Sequence, residues 1–370
     1  MRIYSVTSLA ALMTAAAPGF AQDPSVQQSS IWSGWSTYAD VQLQARYDAV
    51  AISEFSGDWR RDFTPRSDRN LLFQRNHANA GVEKDGWFLG YDIRQDASLV
   101  ADGQTLDLVR RIKQQDRPDG AVVYDLNARM TSWRAQGAQF GRRFAERLDR
   151  PGFSFSVGIY GKPVYRDNQV SGSLSATPPD QFAADLVQRD INTRASIPFQ
   201  NGSASGSGAT FSAGLRLPVT QELTASLVVE DLFSCIRLTN VPVTVQQVNT
   251  AAAHYDSQRF VTFTPLLTGS NTQQSQNVSL PRYSTADLVY TDGAWSARGA
   301  VVRFAGVTMP EVSAARQFAF GEVSARYEFR YKMVGLGYRY KGLNIAMASD
   351  SLSARSAKAA QVAANYRWQF

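Results

Sequence analysis

The strongest constraint on this chain is two-residue alternation carried over runs too long for an ordinary strand. From Ala39 to Ala49 the odd positions read Ala39, Val41, Leu43, Ala45, Tyr47 and Ala49, and the even ones Asp40, Gln42, Gln44, Arg46 and Asp48. From Gly321 to Met333, Val323, Ala325, Tyr327, Phe329, Tyr331 and Met333 alternate with Glu322, Ser324, Arg326, Glu328, Arg330 and Lys332. Successive side chains of a strand point to opposite faces, so each run has one apolar and one charged face. Soluble antiparallel strands average about 5 to 6 residues and hide their apolar face beneath a second layer. Runs about twice as long match a tilted strand crossing a bilayer.

Shorter copies of the pattern occupy Trp87 to Arg94, Val122 to Thr131, Phe153 to Tyr160, Thr210 to Leu217, Leu223 to Glu230, Ala286 to Tyr290 and Trp295 to Val302. Asp85-Gly86 and Asp292-Gly293 suit two-residue hairpin turns, and Pro218 to Gln221 is another short link. Long polar segments intervene at Ile52 to Arg69, Asp102 to Asp119, Pro178 to Gly208, Asp231 to Pro281 and Ala305 to Phe318, read as loops. Lys341-Gly342, where the alternation changes phase, implies a bulge or turn. The expected fold is all-β: an antiparallel transmembrane barrel of about 14 strands (about 12 to 16), with short periplasmic turns and long outer loops. Thr105 to Gln114 has helical spacing behind Asp102 as a cap, and Asp180 to Arg189 has it more weakly.

At the N-terminus, Arg2, the apolar stretch Val6 to Ala17 and the small-residue site before Gln22 read as a secretory signal peptide. This divides the chain into a signal at 1–21, a short periplasmic segment at 22–36 and the barrel at 37–370. No later stretch is long and apolar enough for a membrane-crossing helix. One cysteine, Cys235, and two histidines, His77 and His254, leave little for a disulfide or metal site, and no cofactor motif occurs. Of 38 basic residues six are lysine and 32 arginine. Guanidinium favours anionic partners, but it equally serves ion-pair ladders in a barrel wall, and it accompanies GC-rich coding. The basic residues are dispersed and no nucleic-acid motif appears, so nucleic acid is not an expected partner.

The last residues, Gln361 to Phe370, place Val362, Ala364, Tyr366, Trp368 and Phe370 on one face and Asn365, Arg367 and Gln369 on the other. This resembles the C-terminal assembly signal of Gram-negative outer-membrane β-barrel proteins, a porin-like superclass, with Tyr366, Trp368 and Phe370 as its aromatics. The resemblance implies location in the cell outer membrane, contact with its lipid and lipopolysaccharide, and recognition by the barrel-assembly machinery. Long-chain fatty-acid transporters have a similar strand number but a longer N-terminal plug. General porins have long outer loops but usually more strands.

With the polar faces turned inward, Arg46, Arg94, Arg129, Arg216, Arg298, Arg326, Arg330, Arg339 and Arg367 line the lumen as selectivity candidates. Each could instead sit in a structural ion pair. Arg110, Arg111 and Lys113 would reach a constriction if the Asp102 to Gln114 segment folded inward, although most loops stay outside. The main expectation is a channel or porin passing small polar, anionic or carbohydrate solutes. The alternative is an export-accessory barrel for surface polysaccharide, or one that carries hydrophobic compounds. A barrel enzyme using His77 is a weaker third reading, because no serine motif surrounds that residue and His254 lies in a long loop. Nothing in the sequence sets an oligomeric state.

Overall fold

The computed structural model describes residues 34–60, 62–116, 118–144, 150–177, 181–250, 253–255, 261–263 and 267–369. The expected signal peptide, most of the 22–36 segment, and Phe370 lie outside the described residues. The strands in chain order are β1 (Ser36–Tyr47), β2 (Arg69–Lys84), β3 (Trp87–Asp102), β4 (Val122–Phe144), β5 (Gly152–Thr177) and β6 (Gln181–Asn192). They continue with β7 (Ser205–Pro218), β8 (Leu223–Asn249), β9 (Ala253–Tyr255), β10 (Val261–Phe263), β11 (Leu267–Val278) and β12 (Tyr283–Asp292). The chain ends with β13 (Trp295–Phe304), β14 (Val307–Phe318), β15 (Gly321–Glu328), β16 (Met333–Tyr340), β17 (Leu343–Ser349) and β18 (Ala359–Gln369). One helix, α1 (Gly103–Gln114), follows β3.

The sheet closes where β1 pairs antiparallel with β18, from Ser36 opposite Gln369 to Arg46 opposite Ala359. Closure pairs the strands all round the lipid-crossing wall, as a sheet in lipid requires, while β11 above it pairs with β8 alone. The result is a 14-strand antiparallel barrel. That number arises because two wall positions are each shared by two strands. β5 pairs with β6 along its outer half and with β7 along its inner half. β8 likewise pairs with β11 and then β12.

The outward face is apolar. Leu89, Tyr91 and Ile93 on β3, Leu288 on β12 and Leu336 on β16 are all exposed, as is Trp368. Exposed apolar side chains spread over many strands mark a surface built for lipid. Aromatic rings gather towards the rim that carries both chain ends, where Trp87 stacks on Phe140 at 5.0 Å. Tyr366 and Trp368 point outward there too, in the phase expected for an assembly signal.

Several connections depart from the sequence expectation. Gly321 to Met333 is not one strand: β15 stops at Glu328 and the chain turns back into β16. The Glu328 carboxylate accepts the amides of Arg330 (2.8 Å) and Tyr331 (3.0 Å), satisfying a tight turn that alternation cannot reveal. Three segments expected as loops are largely strand. Pro178 to Gly208 contains β6, Asp231 to Pro281 contains the outer half of β8 and β11, and Ala305 to Phe318 is mostly β14. Of the Asp180 to Arg189 segment expected as a weak helix, residues 181–189 are accordingly strand, and Asp180 lies outside the described residues. β6 and β11 carry polar residues on both faces, the outer half of β8 turns Ile236, Leu238 and Val243 into a buried cluster, and β14 pairs along the lipid-crossing β13 with Thr308 and Arg316 interrupting its outer face. At Ala305-Gly306 both residues have positive φ (48° and 80°), the geometry of a two-residue hairpin turn. The Asp85-Gly86, Pro218 to Gln221 and Lys341-Gly342 turns and the α1 helix stand where the sequence placed them.

Candidate functional site

The lumen is divided. An outer cavity of about 690 Å³ is lined by Trp133, Tyr165, Leu280, Phe304, Asp96 and Arg129, among others. An inner cavity of about 1030 Å³ reaches the short link at Val219 to Glu222 and is lined by Tyr283, Val302, Glu230, Arg46, Arg298 and Arg326, among others. No residue lines both.

Arg75 on β2 stands between them and is 2% exposed. Its Nε donates to Asp96 of the outer cavity at 3.4 Å and its Nη2 to Glu230 of the inner cavity at 2.8 Å. Its guanidinium also lies over Tyr283, facing the inner cavity (4.1 Å), and over Phe304, facing the outer one (5.8 Å). Beside it, Arg94 forks onto Asp231 with bonds of 2.8 and 2.6 Å and donates a third to Asp96 at 3.0 Å. Trp133 Nε1 donates to the same Asp96 oxygen at 3.0 Å. His77 Nε2 lies 3.2 Å from Asp96 and 3.0 Å from Arg94 Nε.

An apolar patch completes the partition. Phe73 on β2 meets Phe304 on β13 at 5.1 Å between ring centroids, although these strands stand on opposite sides of the barrel. Leu71, Val302, Val307, Met309, Tyr331 and Met333 pack around them. Side chains of opposing walls therefore touch, and the septum is about one side chain thick at Arg75. Paired guanidinium and carboxylate groups in a dry layer hold each other strongly, and removing either partner leaves a buried charge.

β8 supplies the two distal acids through a local irregularity. The β7–β8 register shifts between Phe211 and Ala213, and Asp231 takes a positive φ of 53°. The Asp231 amide is caught by Ser212 Oγ at 3.1 Å. Such a bulge re-aims side chains, and here it turns both Glu230 and Asp231 toward β2 and β3.

The arginines proposed from sequence are distributed along the whole passage. Arg46 and Arg94 are buried at the septum, Arg129 lines the outer cavity and pairs with Asp167 at 2.8 Å, and Arg216, Arg298, Arg326 and Arg339 line the inner one. Arg298 pairs with Glu311 (2.5 Å) and Asp287 (3.4 Å), and Arg339 pairs with Glu322. Arg330 leaves the lumen for the outer turn and pairs with Asp48 at 2.6 Å, and Arg367 lies near the chain ends on Glu83 at 3.1 Å. Arg75, Glu230 and Asp231 were not selected from sequence. Arg75 carried one usable signal, the phase it shares with His77, Asn79 and Glu83.

The Asp102 to Gln114 segment does not narrow the lumen. Asp102 caps α1 by accepting Thr105 N–H at 2.6 Å, and Leu106 inserts among Tyr47, Val50, Trp59 and Leu72 at the outer rim. Lys113 donates to Gly57 O at 2.7 Å, while Arg110 and Arg111 bind Asp107. Burial alone would raise the Asp107 carboxyl, but those hydrogen bonds hold it below its ordinary value of 3.8. The segment buries its apolar face on Val50, Trp59 and Phe63 of the preceding β1–β2 connection instead of entering the polar lumen.

A closed antiparallel barrel with an apolar exterior and a divided interior defines a transmembrane β-barrel of the outer-membrane type. No family model matches the chain, and no curated protein matches it. Among solved structures it is similar to the Pseudomonas putida toluene transporter TodX, at 10% identity and TM-score 0.42 over 91% of this chain and 90% of that one. It is similar also to a Pseudomonas aeruginosa FadL homologue, at 10% identity and TM-score 0.31 over 90% and 86%. The translocator domain of the autotransporter NalP from Neisseria meningitidis matches at 10% identity and TM-score 0.27 over 91% and 88%. These are likenesses of strand arrangement between barrels.

Proposed function

We propose that this protein is a gated, substrate-selective channel of the outer membrane for small organic solutes with an apolar body. The observation that carries the reading is the pair of cavities set end to end in one lumen and parted only by side chains around Arg75. Side-chain partitions open by rotamer changes and local strand shifts, without dismantling the wall.

A freely open polar porin fits this geometry less well than the carriage of less polar compounds. Most of the lumen arginines are neutralised by acids within the wall, and the septum presents Phe73, Tyr283, Trp133 and Phe304 to anything passing. Aromatic and aliphatic surface beside a few fixed polar groups is the usual lining of a small-molecule site. For the enzyme reading, His77 Nε2 lies within hydrogen-bond distance of Asp96, Arg75 and Arg94, so its ring is held within the septum network whichever of them it pairs with.

Fluorescence titration of the refolded barrel tests the solute class. Benzyl alcohol should change tryptophan emission saturably, the change should vanish in Trp133→Phe, and glucose should give none. A saturable response to glucose with none to benzyl alcohol would overturn the assignment and restore the carbohydrate reading.

A further inference from the structure

The inner cavity holds two guanidinium groups that make no ion pair among the described residues. Arg46 is 2% exposed, yet its partners are neutral: Nη1 donates to Met309 Sδ at 3.2 Å and Nη2 to Gln361 Oε1 at 3.0 Å. Its Nε has no partner among the described residues. Arg326, across the same cavity, has a buried Nη2 without a partner among the described residues. Neither has a carboxylate at ion-pair distance among the described residues, whereas Arg298 and Arg339 beside them do. Arg46 and Arg326 lie within electrostatic reach of one another.

The nearby acids are otherwise engaged. Glu311 and Asp287 hold Arg298, Glu322 holds Arg339, and Glu311 reaches Arg326 only through space, its oxygen being bonded to Arg298. Glu328 is within reach of Arg46 but points its oxygens at the amides of Arg330 and Tyr331. Gln44, also 2% exposed and on the inward face between Gln42 and Arg46, has no partner for either side-chain polar atom among the described residues. Buried donors are normally satisfied, and a buried charge without an opposite partner is strongly unfavourable. Two such guanidiniums on one cavity have the charge and the free donors that an anion would match.

We propose that this roof of the inner cavity binds the carboxylate end of a small organic acid, with Arg46 and Arg326 as its charged donors. Guanidinium matches a carboxylate through paired N–H bonds. Val302, Tyr283 and Val228 line the same cavity and offer contact to an apolar body. Met309 and Phe73, packed against Arg46, exclude water from one side of the pair. The inference rests on the lumen being a solute path and names the chemistry of what is held there.

Calorimetric titration of the full barrel in detergent micelles tests it, with benzoate, benzyl alcohol and inorganic phosphate as probes. Benzoate should bind at least about tenfold more tightly than benzyl alcohol, a difference of about 1.4 kcal/mol. Arg46→Gln and Arg326→Gln should each abolish that preference, and Arg111→Gln on the outer rim should retain it. Arg326→Gln leaves the contacts of Arg46 with Met309 and Gln361 intact, so it serves if Arg46→Gln does not fold. Equal affinity for benzoate and benzyl alcohol, or an unchanged preference in both folded variants, would overturn the proposal. Phosphate binding without benzoate binding would overturn the carboxylate assignment. No permeation step enters the measurement, so failure here would remove the subsite and leave the channel reading to conductance.

Discussion

Replacing Arg75 by alanine should open the septum. The substitution removes a charge-assisted bond to Glu230 at 2.8 Å, a longer one to Asp96 at 3.4 Å and the stacking on Tyr283 at 4.1 Å. One strong charge-assisted bond contributes about 1.5 to 3 kcal/mol, and a desolvated cation–π contact about 1 to 2. The loss is partly offset. Asp96 keeps His77, Arg94 and Trp133, and the Glu230 side chain, already 26% exposed, gains water from the inner cavity. A net loss of about 3 kcal/mol is a reasonable balance, and it lowers the closed-to-open ratio by about two orders of magnitude. Planar-bilayer recordings should show wild-type protein mostly closed and Arg75→Ala with long open periods. Arg75→Lys should fall between, because an ammonium keeps the charge but not the fork that spans both cavities. If folded Arg75→Ala conducts as rarely as wild type, Arg75 does not hold the septum and the reasoning fails.

Three further outcomes follow from the same contacts. Asp102→Ala should cost α1 about 1 kcal/mol by removing its N-cap, visible as faster hydrogen exchange in residues 103–114 with the barrel strands unchanged. Acid should loosen the same helix: the lowered Asp107 carboxyl stabilises the docked state above its ordinary value of 3.8, and that contribution disappears as pH falls through the lower native value. Exchange in α1 should therefore rise only below about pH 4, and a rise near neutrality would contradict the assignment. Glu328→Ala should cost about 2 kcal/mol by freeing the amides of Arg330 and Tyr331, read as a lower unfolding midpoint in urea.

The barrel was legible in the sequence because lipid enforces period-two alternation wherever a strand crosses it. β1, the inner half of β8, β13 and β18 all show that pattern. Legibility weakened where polar residues interrupt the lipid-facing pattern. β6 and β11 carry polar residues on both faces, the outer half of β8 turns its apolar residues inward, and β14 crosses beside β13 with Thr308 and Arg316 on its outer face, so backbone pairing, not side-chain polarity, makes them strands. Glu328 hid a turn inside an unbroken alternation. The septum was less accessible still: Arg75, Glu230 and Phe304 lie far apart in sequence, and they meet only because closure places β2 opposite β8, β12 and β13. Arg94 could be chosen as lumen-facing from its phase, but nothing in sequence distinguished an arginine that blocks the path from one that pairs along the wall.

The central claim is that one continuous path runs through this lumen and is interrupted only where Phe73 touches Phe304 and Arg75 spans the cavities. Ring ends that meet across the lumen leave the two backbones too far apart for a direct disulfide, so the most direct test is a reducible bis-methanethiosulfonate bridge between Phe73→Cys and Phe304→Cys in a Cys235→Ser background, with an Arg75→Ala change to bias the septum open. Bilayer conductance should be absent while the bridge is intact and appear on reduction. Equal conductance before and after reduction, with the crosslink verified by mass spectrometry, would contradict a path through the septum.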